Sequence, residues 1–132
     1  METNFLDIIR TRRSCRSYKQ QQITDEQLNA VLEAGTYAPT SRGLQSPFIV
    51  AIQNKDLLKQ LAEMNAEVMG ATTNPYYDAP TYILVFVPDG FANGVYDAAL
   101  VLENMMLAAH AQGLGSCWIH REREMFATAE GK

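Results

Sequence analysis

Tryptophan, cysteine and histidine are scarce in this chain, with one, two and two copies among 132 residues. Cys15 and Cys117 have neither a CxxC arrangement nor metal-ligand spacing, so a zinc ribbon and a dithiol redox motif are excluded. Two free thiols in a reducing compartment are expected. Long apolar runs are also missing. Nothing approaches the roughly 18 consecutive apolar residues that a membrane-spanning helix needs, and no basic start leads into an apolar stretch, so a cytoplasmic protein without a membrane segment is expected. Positive charge is in deficit, 11 basic against 15 acidic residues for a net charge of −4. Such a molecule repels nucleic acid and anionic lipid as a whole, and any anion it holds must be held by a local patch.

What is present is apolar material, 47% of the residues, enough for a single core; one domain over residues 1–132 is expected. Asn4 or Thr3 can cap a first helix in which Phe5, Ile8, Ile9 and Arg12 share a face. Thr24 and Gln27 form a capping box before Leu28, Val31 and Leu32, and Gly35 is placed to stop that helix. Residues 38–47 are small and polar and lead into a strand over residues 48–53. Asn54 caps a third helix carrying Leu57, Leu58, Leu61, Met64 and Val68, which breaks at Gly70. A second strand spans residues 81–87. Residues 96–112 are apolar on nearly every face, which predicts a helix buried all round, central in the domain or in a dimer interface. Gly113 stops it, and residues 116–119 can form a third short strand. Helices and strands alternate, so a layered α/β or α+β packing follows.

Chemistry concentrates near the amino terminus. Five of the eleven basic residues, Arg10, Arg12, Arg13, Arg16 and Lys19, fall within ten positions. Guanidinium forks bind phosphate oxygens bidentately, and a serine hydroxyl adds a neutral donor. The alternation of Arg12, Ser14 and Arg16 turns all three to one side of an extended segment. A solvated basic face at a helix carboxyl end explains the same residues equally well. The run Ala38, Pro39, Thr40, Ser41, Arg42, Gly43, Leu44, Gln45 lets backbone approach a flat ligand, and Gln45 can bond a polar ring edge; an ordinary connecting loop is the plainer reading. Gly113 and Gly115 offer a second close-approach turn without the rest of a dinucleotide fingerprint. Cys117 reads as a buried core thiol and His110 as a packing residue, while His120 beside Arg121 has the better claim to a site. Asp97 reads first as a partner of the helix dipole.

Taken in order, these segments resemble the nitroreductase family, in its short FMN-binding branch, across essentially the whole chain. Arg12, Arg13, Ser14, Cys15 and Arg16 look like its arginine-arginine-serine-x-arginine phosphate motif. Residues 38–45 resemble its proline and amide loop, and residues 96–118 its long interface helix with a glycine-leucine-glycine turn. The resemblance implies an α+β fold, an α/β/α sandwich with a mainly antiparallel central sheet, and a homodimer with FMN sites built from both protomers. It implies that Arg12, Arg13, Ser14 and Arg16 hold phosphate and ribityl, and that Pro39, Thr40, Ser41, Gly43 and Gln45 reach the flavin from the partner. Gly115, Ile119, His120 and Arg121 would lie near the ring. NAD(P)H would reduce the flavin, which would pass electrons to a small acceptor such as a nitroaromatic or quinone; a domain that binds flavin without turnover is the alternative. No metal and no catalytic triad is called for. The chain departs from the family pattern at Gly43, where asparagine is common, and at Ser46 and Pro47, in place of a proline-aromatic pair. The family also usually continues beyond the equivalent of Lys132 with a further strand.

Overall fold

Local capping chemistry places the helices. In the computed structural model, which describes residues 4–132, the Asn4 side chain accepts from the Leu6 N–H and starts α1 (Phe5–Thr11); Thr3, the other candidate cap, lies outside the described residues. Thr24 and Gln27 make the expected reciprocal capping box at the head of α2 (Asp25–Thr36). One 3-10 turn, Ser41–Gly43, precedes β1 (Phe48–Ile52). Asn54 caps α3 (Lys55–Met69), which closes on Gly70 in the left-handed conformation, as its sequence predicts. β2 (Tyr82–Phe86), α4 (Gly94–Ala111) and α5 (Glu122–Ala127) follow. The fold is α+β.

β1 and β2 form a two-stranded sheet. Phe48 at the start of β1 stacks on Phe86 at the end of β2, with ring centroids 5.2 Å apart. Just beyond the other end, the Gln53 side-chain amide donates to Thr81 Oγ1 at 3.0 Å. The partners run in opposite order, so the strands are antiparallel.

The chain divides into two compact units, each assembled from three separate stretches. The first comprises the chain up to Cys15, Ile23–Ala51 and Ile83–Cys117. Its core is Val31, Ala38, Val101, Met105 and Ala109, flanked by Leu32, Ile49, Ile83, Val85 and Leu114, with α2 packed along α4. The second comprises Arg16–Gln22, Ile52–Tyr82 and Trp118–Lys132. There α3 packs on α5, and Leu58, Leu61, Ala62, Met64 and the fully enclosed Met125 are buried.

Three elements differ from the sequence expectation. Gly35 does not stop α2, which runs on through Thr36. It is buried where a Cβ would stand 2.8 Å from Ile49 Cδ1 and 2.9 Å from Met105 Cγ, so its work is close helix packing. No strand forms over residues 116–119: Ser116 makes one isolated parallel bridge with Ser14, too little to extend a ladder. α4 is not buried all round. It buries Gly94, Asp97, Val101, Met105 and Ala109 along one stripe, and leaves Val95, Tyr96 and Leu100 exposed. On α1, Ile8 is buried while Phe5 and Ile9 are exposed, so its apolar face is only partly covered.

Candidate functional site

In the first unit, α4 organises the candidate residues by anchoring them at its two ends. At the carboxyl end, Thr11 Oγ1 lies 2.8 Å from His110 Nε2, so the end of α1 sits on the last turn of α4. A second tie follows at once: the Cys15 N–H donates to the Ser116 carbonyl at 2.9 Å, within the Ser14 bridge. The arginine segment and the glycine turn, a hundred residues apart in sequence, are therefore neighbours. Gly113, at φ 75°, makes the reversal that returns the chain from α4.

The three arginines are not equivalent. Arg12 terminates α1, its backbone leaving the helix at ψ 134°, and its half-buried side chain takes no hydrogen bond or ion pair among the described residues. Arg13 Nη1 donates to the carbonyls of Arg10 at 2.9 Å and Arg12 at 2.8 Å, which is the helix-end role of the plainer reading. The exposed Arg16, in the second unit, has no side-chain partner among the described residues. Ser14 and Gly115 are exposed.

At the amino end of α4 stands the loop over residues 40–45. The Ser41 N–H donates to Asp97 Oδ1 at 2.9 Å, and Asn93 Nδ2 donates to Ser41 Oγ at 2.8 Å. Thr40 Oγ1 accepts from the Gln45 N–H at 2.9 Å. Arg42 and Gln45 have φ of 53° and 50°, the left-handed region that non-glycine residues occupy only when their surroundings force it. Thr40 and Gln45 line a cleft of about 450 Å³ with Gly35, Phe48, Ile49 and Val101. Pro39 and Gly43 are exposed beside it. Asp97 and His110 are thirteen residues apart on one helix, so the loop and the arginine segment of a chain are anchored roughly 20 Å apart along its axis.

The second unit holds Ile119, His120 and Arg121. His120 stacks on Trp118, centroids 5.1 Å apart. Arg121 has φ 90°, and its Nε donates to Asn65 Oδ1 at 2.7 Å. Asn65 is fully buried and donates in turn to Tyr76 Oη and to the His120 carbonyl, both at 3.0 Å. The Tyr76 hydroxyl donates to Glu122 Oε1 at 3.0 Å. Burial, reinforced by the Glu122 charge, pushes the Tyr76 phenol far above its ordinary value. Burial also raises the Glu122 carboxyl, against the lowering effect of its hydrogen bonds and of His120 and Arg121. Sequence reasoning passed over Asn65, although it is a polar residue in the apolar stripe of α3 defined by Leu58 and Leu61. Cys117, expected to be buried, is half-exposed, as is Cys15, and the two form no disulfide.

The sequence model of the Nitroreductase family matches residues 9–121. The chain superposes on a crystal structure of a nitroreductase with bound FMN from Bacteroides fragilis with a TM-score of 0.87, at 34% identity, over 98% of this chain and 76% of that one. A protein of Archaeoglobus fulgidus is 31% identical over 95% of this chain and 74% of its own length. An NADPH-dependent oxidoreductase of Staphylococcus haemolyticus is 29% identical over 86% of this chain and 51% of its own. The chain thus spans between about half and three quarters of the length of the curated relatives it matches.

Proposed function

Because this chain belongs to the nitroreductase family, we propose that it is an FMN-dependent oxidoreductase, carrying hydride from NAD(P)H to a small acceptor such as a nitroaromatic or quinone. When bound, flavin would supply the redox chemistry. The chain's own residues bind, orient and shield. Arg12 and Arg16, whose guanidiniums have no partner among the described residues, would take phosphate oxygens, with the Ser14 hydroxyl as a neutral donor. Arg13 has one nitrogen committed to the end of α1 and would contribute its remaining donors. Gly115 would allow backbone near the ring, with Ile119, His120 and Arg121 beside it. Pro39, Thr40, Ser41, Gly43 and Gln45 would approach from a second protomer.

The observation that carries this reading is the pair of anchors on α4. The arginine segment and the 40–45 loop of one chain are tied to opposite ends of that helix. Residues that meet on a single flavin are then most simply drawn from two chains, which is a homodimer with two equivalent sites. The exposed apolar residues Tyr37, Leu44, Phe48, Val95, Tyr96 and Leu100 of the same unit supply a surface for that contact.

The purified protein is expected to be yellow, to bleach anaerobically with NADH or NADPH, and to recover colour when a nitroaromatic or quinone is added. A yellow protein that never bleaches would leave only flavin binding, and a colourless one that takes up no FMN would reject the proposal. Arg12→Ala and Arg16→Ala are each expected to weaken FMN binding by about 1.5–3 kcal/mol, the value of a charge-assisted hydrogen bond. Unchanged affinity in both would remove the phosphate assignment.

A further inference from the structure

Asp97 has an arrangement that helix capping does not explain. It sits in the first turn of α4, where a carboxylate usually serves the helix's own N–H groups and dipole. It is instead 4% exposed, and Oδ1 accepts the Ser41 N–H from a loop fifty-six residues earlier. Oδ2 is buried and has no hydrogen-bond partner. Asn93, the N-cap residue, makes no side-chain cap either; its Nδ2 goes to Ser41 Oγ. Two side chains suited to capping α4 are thus both turned to one serine.

The loop they hold needs holding. Arg42, Gly43 and Gln45 all have positive φ, and for the two non-glycine residues that conformation is costly. The loop is bonded to itself, through Gly43 N–H to the Thr40 carbonyl, Leu44 N–H to the Ser41 carbonyl, and Gln45 N–H to Thr40 Oγ1. It is therefore braced internally, and Ser41 is where it is bonded to the helix. An unpaired buried carboxylate oxygen lowers stability, so this side chain serves the loop at a cost to the fold.

We infer that Asp97 is a positioning residue: its buried carboxylate clamps the Ser41 N–H and thereby fixes the path along which Thr40, Ser41 and Gln45 meet the flavin ring. The clamp rests on geometry, while its consequence for catalysis rests on the flavin reading above.

Three variants test it. Asp97→Ala removes the acceptor. Asp97→Asn keeps an oxygen at the same place. Ser41→Pro removes the donor N–H and leaves the carboxylate, with Ser41→Ala as the control that removes only the hydroxyl bonded by Asn93, and proline suits the first position of a helical turn preceded by an extended residue such as Thr40. Limited trypsin digestion of the FMN-loaded and FMN-free protein reads the loop through the peptide bond after Arg42, with cleavage after Lys59 in α3 as the internal reference. Asp97→Ala and Ser41→Pro are expected to speed cleavage after Arg42 by about tenfold relative to Lys59, the factor that loss of one charge-assisted hydrogen bond gives. Both should weaken FMN binding by a similar factor, and Asp97→Asn should stay near wild type in both readouts.

Wild-type cleavage after Arg42 in both disruptive variants would overturn the clamp, and so would an Asp97→Asn protein as labile as Asp97→Ala. If Asp97→Ala is cut alike at every site, Ser41→Pro decides, and uniform cutting of both counts against a local role. Should the wild type take up no FMN, the flavin reading fails while the digestion still judges the clamp.

Discussion

α3 and α4 are the two longest helices, of 15 and 18 residues, and they divide their surfaces differently. α3 carries Lys55, Asp56, Lys59, Glu63 and Glu67 outward and turns Leu58, Leu61, Ala62 and Asn65 inward. α4 is apolar over most of its circumference and buries a single stripe, leaving Val95 65%, Tyr96 71% and Leu100 46% exposed. A helix with one apolar stripe is satisfied by one neighbour, whereas α4 has apolar surface for two. Polar groups follow the same division. The buried polar side chains of the second unit, Asn65 and Tyr76, are linked by hydrogen bonds. The buried Asp97 of the first keeps one oxygen without a partner. The second unit pairs its buried polar side chains internally, and the first leaves apolar helix surface exposed.

The largest effect that tests this contrast comes from emptying each helix in turn. Leu61→Ala opens a cavity in the second unit and is expected to lower unfolding stability by about 2–5 kcal/mol at any protein concentration. Leu100→Ala on α4 is expected to cost little at high dilution and progressively more as concentration rises, since a second copy would cover that side chain. Urea titrations over a hundredfold concentration range measure both. A Leu100→Ala cost that never changes with concentration would break the contrast, because the exposed face of α4 would then meet no second copy.

A smaller effect probes the stripe that α4 does bury. Gly35→Ala would set a methyl within 3 Å of Ile49 and Met105, and is expected to cost about 1–3 kcal/mol through overpacking. If Gly35 were acting as a helix stop, alanine would be tolerated or stabilising, so the sign of the change in thermal midpoint separates the two roles.

Gly35 also illustrates where sequence legibility ends. The caps at Asn4, Thr24 and Asn54 and the stop at Gly70 were readable because donor and acceptor lie within a few residues. A glycine after an amphipathic run can mean a stop or a close approach, and the choice depends on what lies opposite, here Met105, seventy residues on. The strand expected over residues 116–119 failed for the same reason: strands need a partner, and Ser14 offers one bridge. α5 has too little periodicity to announce itself and is fixed by the complete burial of Met125. In the site, clustering of charge made the arginine segment visible. Asn65, and the loop contact of Asp97, stayed hidden because the decisive partner of each lies fifty-six positions away.

The smallest expected effect concerns the hydrogen-bonded knot of the second unit. Burial raises the Glu122 carboxyl above the ordinary value of 4.5. The folded chain then holds a proton that the unfolded chain has already released, in a window opening near pH 4.5 and closing at the raised folded value. Protons bound in the folded state exceed those in the unfolded state there, so this group makes stability fall as pH rises, and the loss persists above the window. Glu122→Gln keeps an oxygen to accept from the Tyr76 hydroxyl and removes the titration. Its thermal midpoint is expected to vary less with pH through the window and to lie slightly above wild type near neutrality. Parallel profiles for the two proteins would show that the carboxyl is not charged at a cost to folding, and the second unit would lose its one predicted weakness relative to the first.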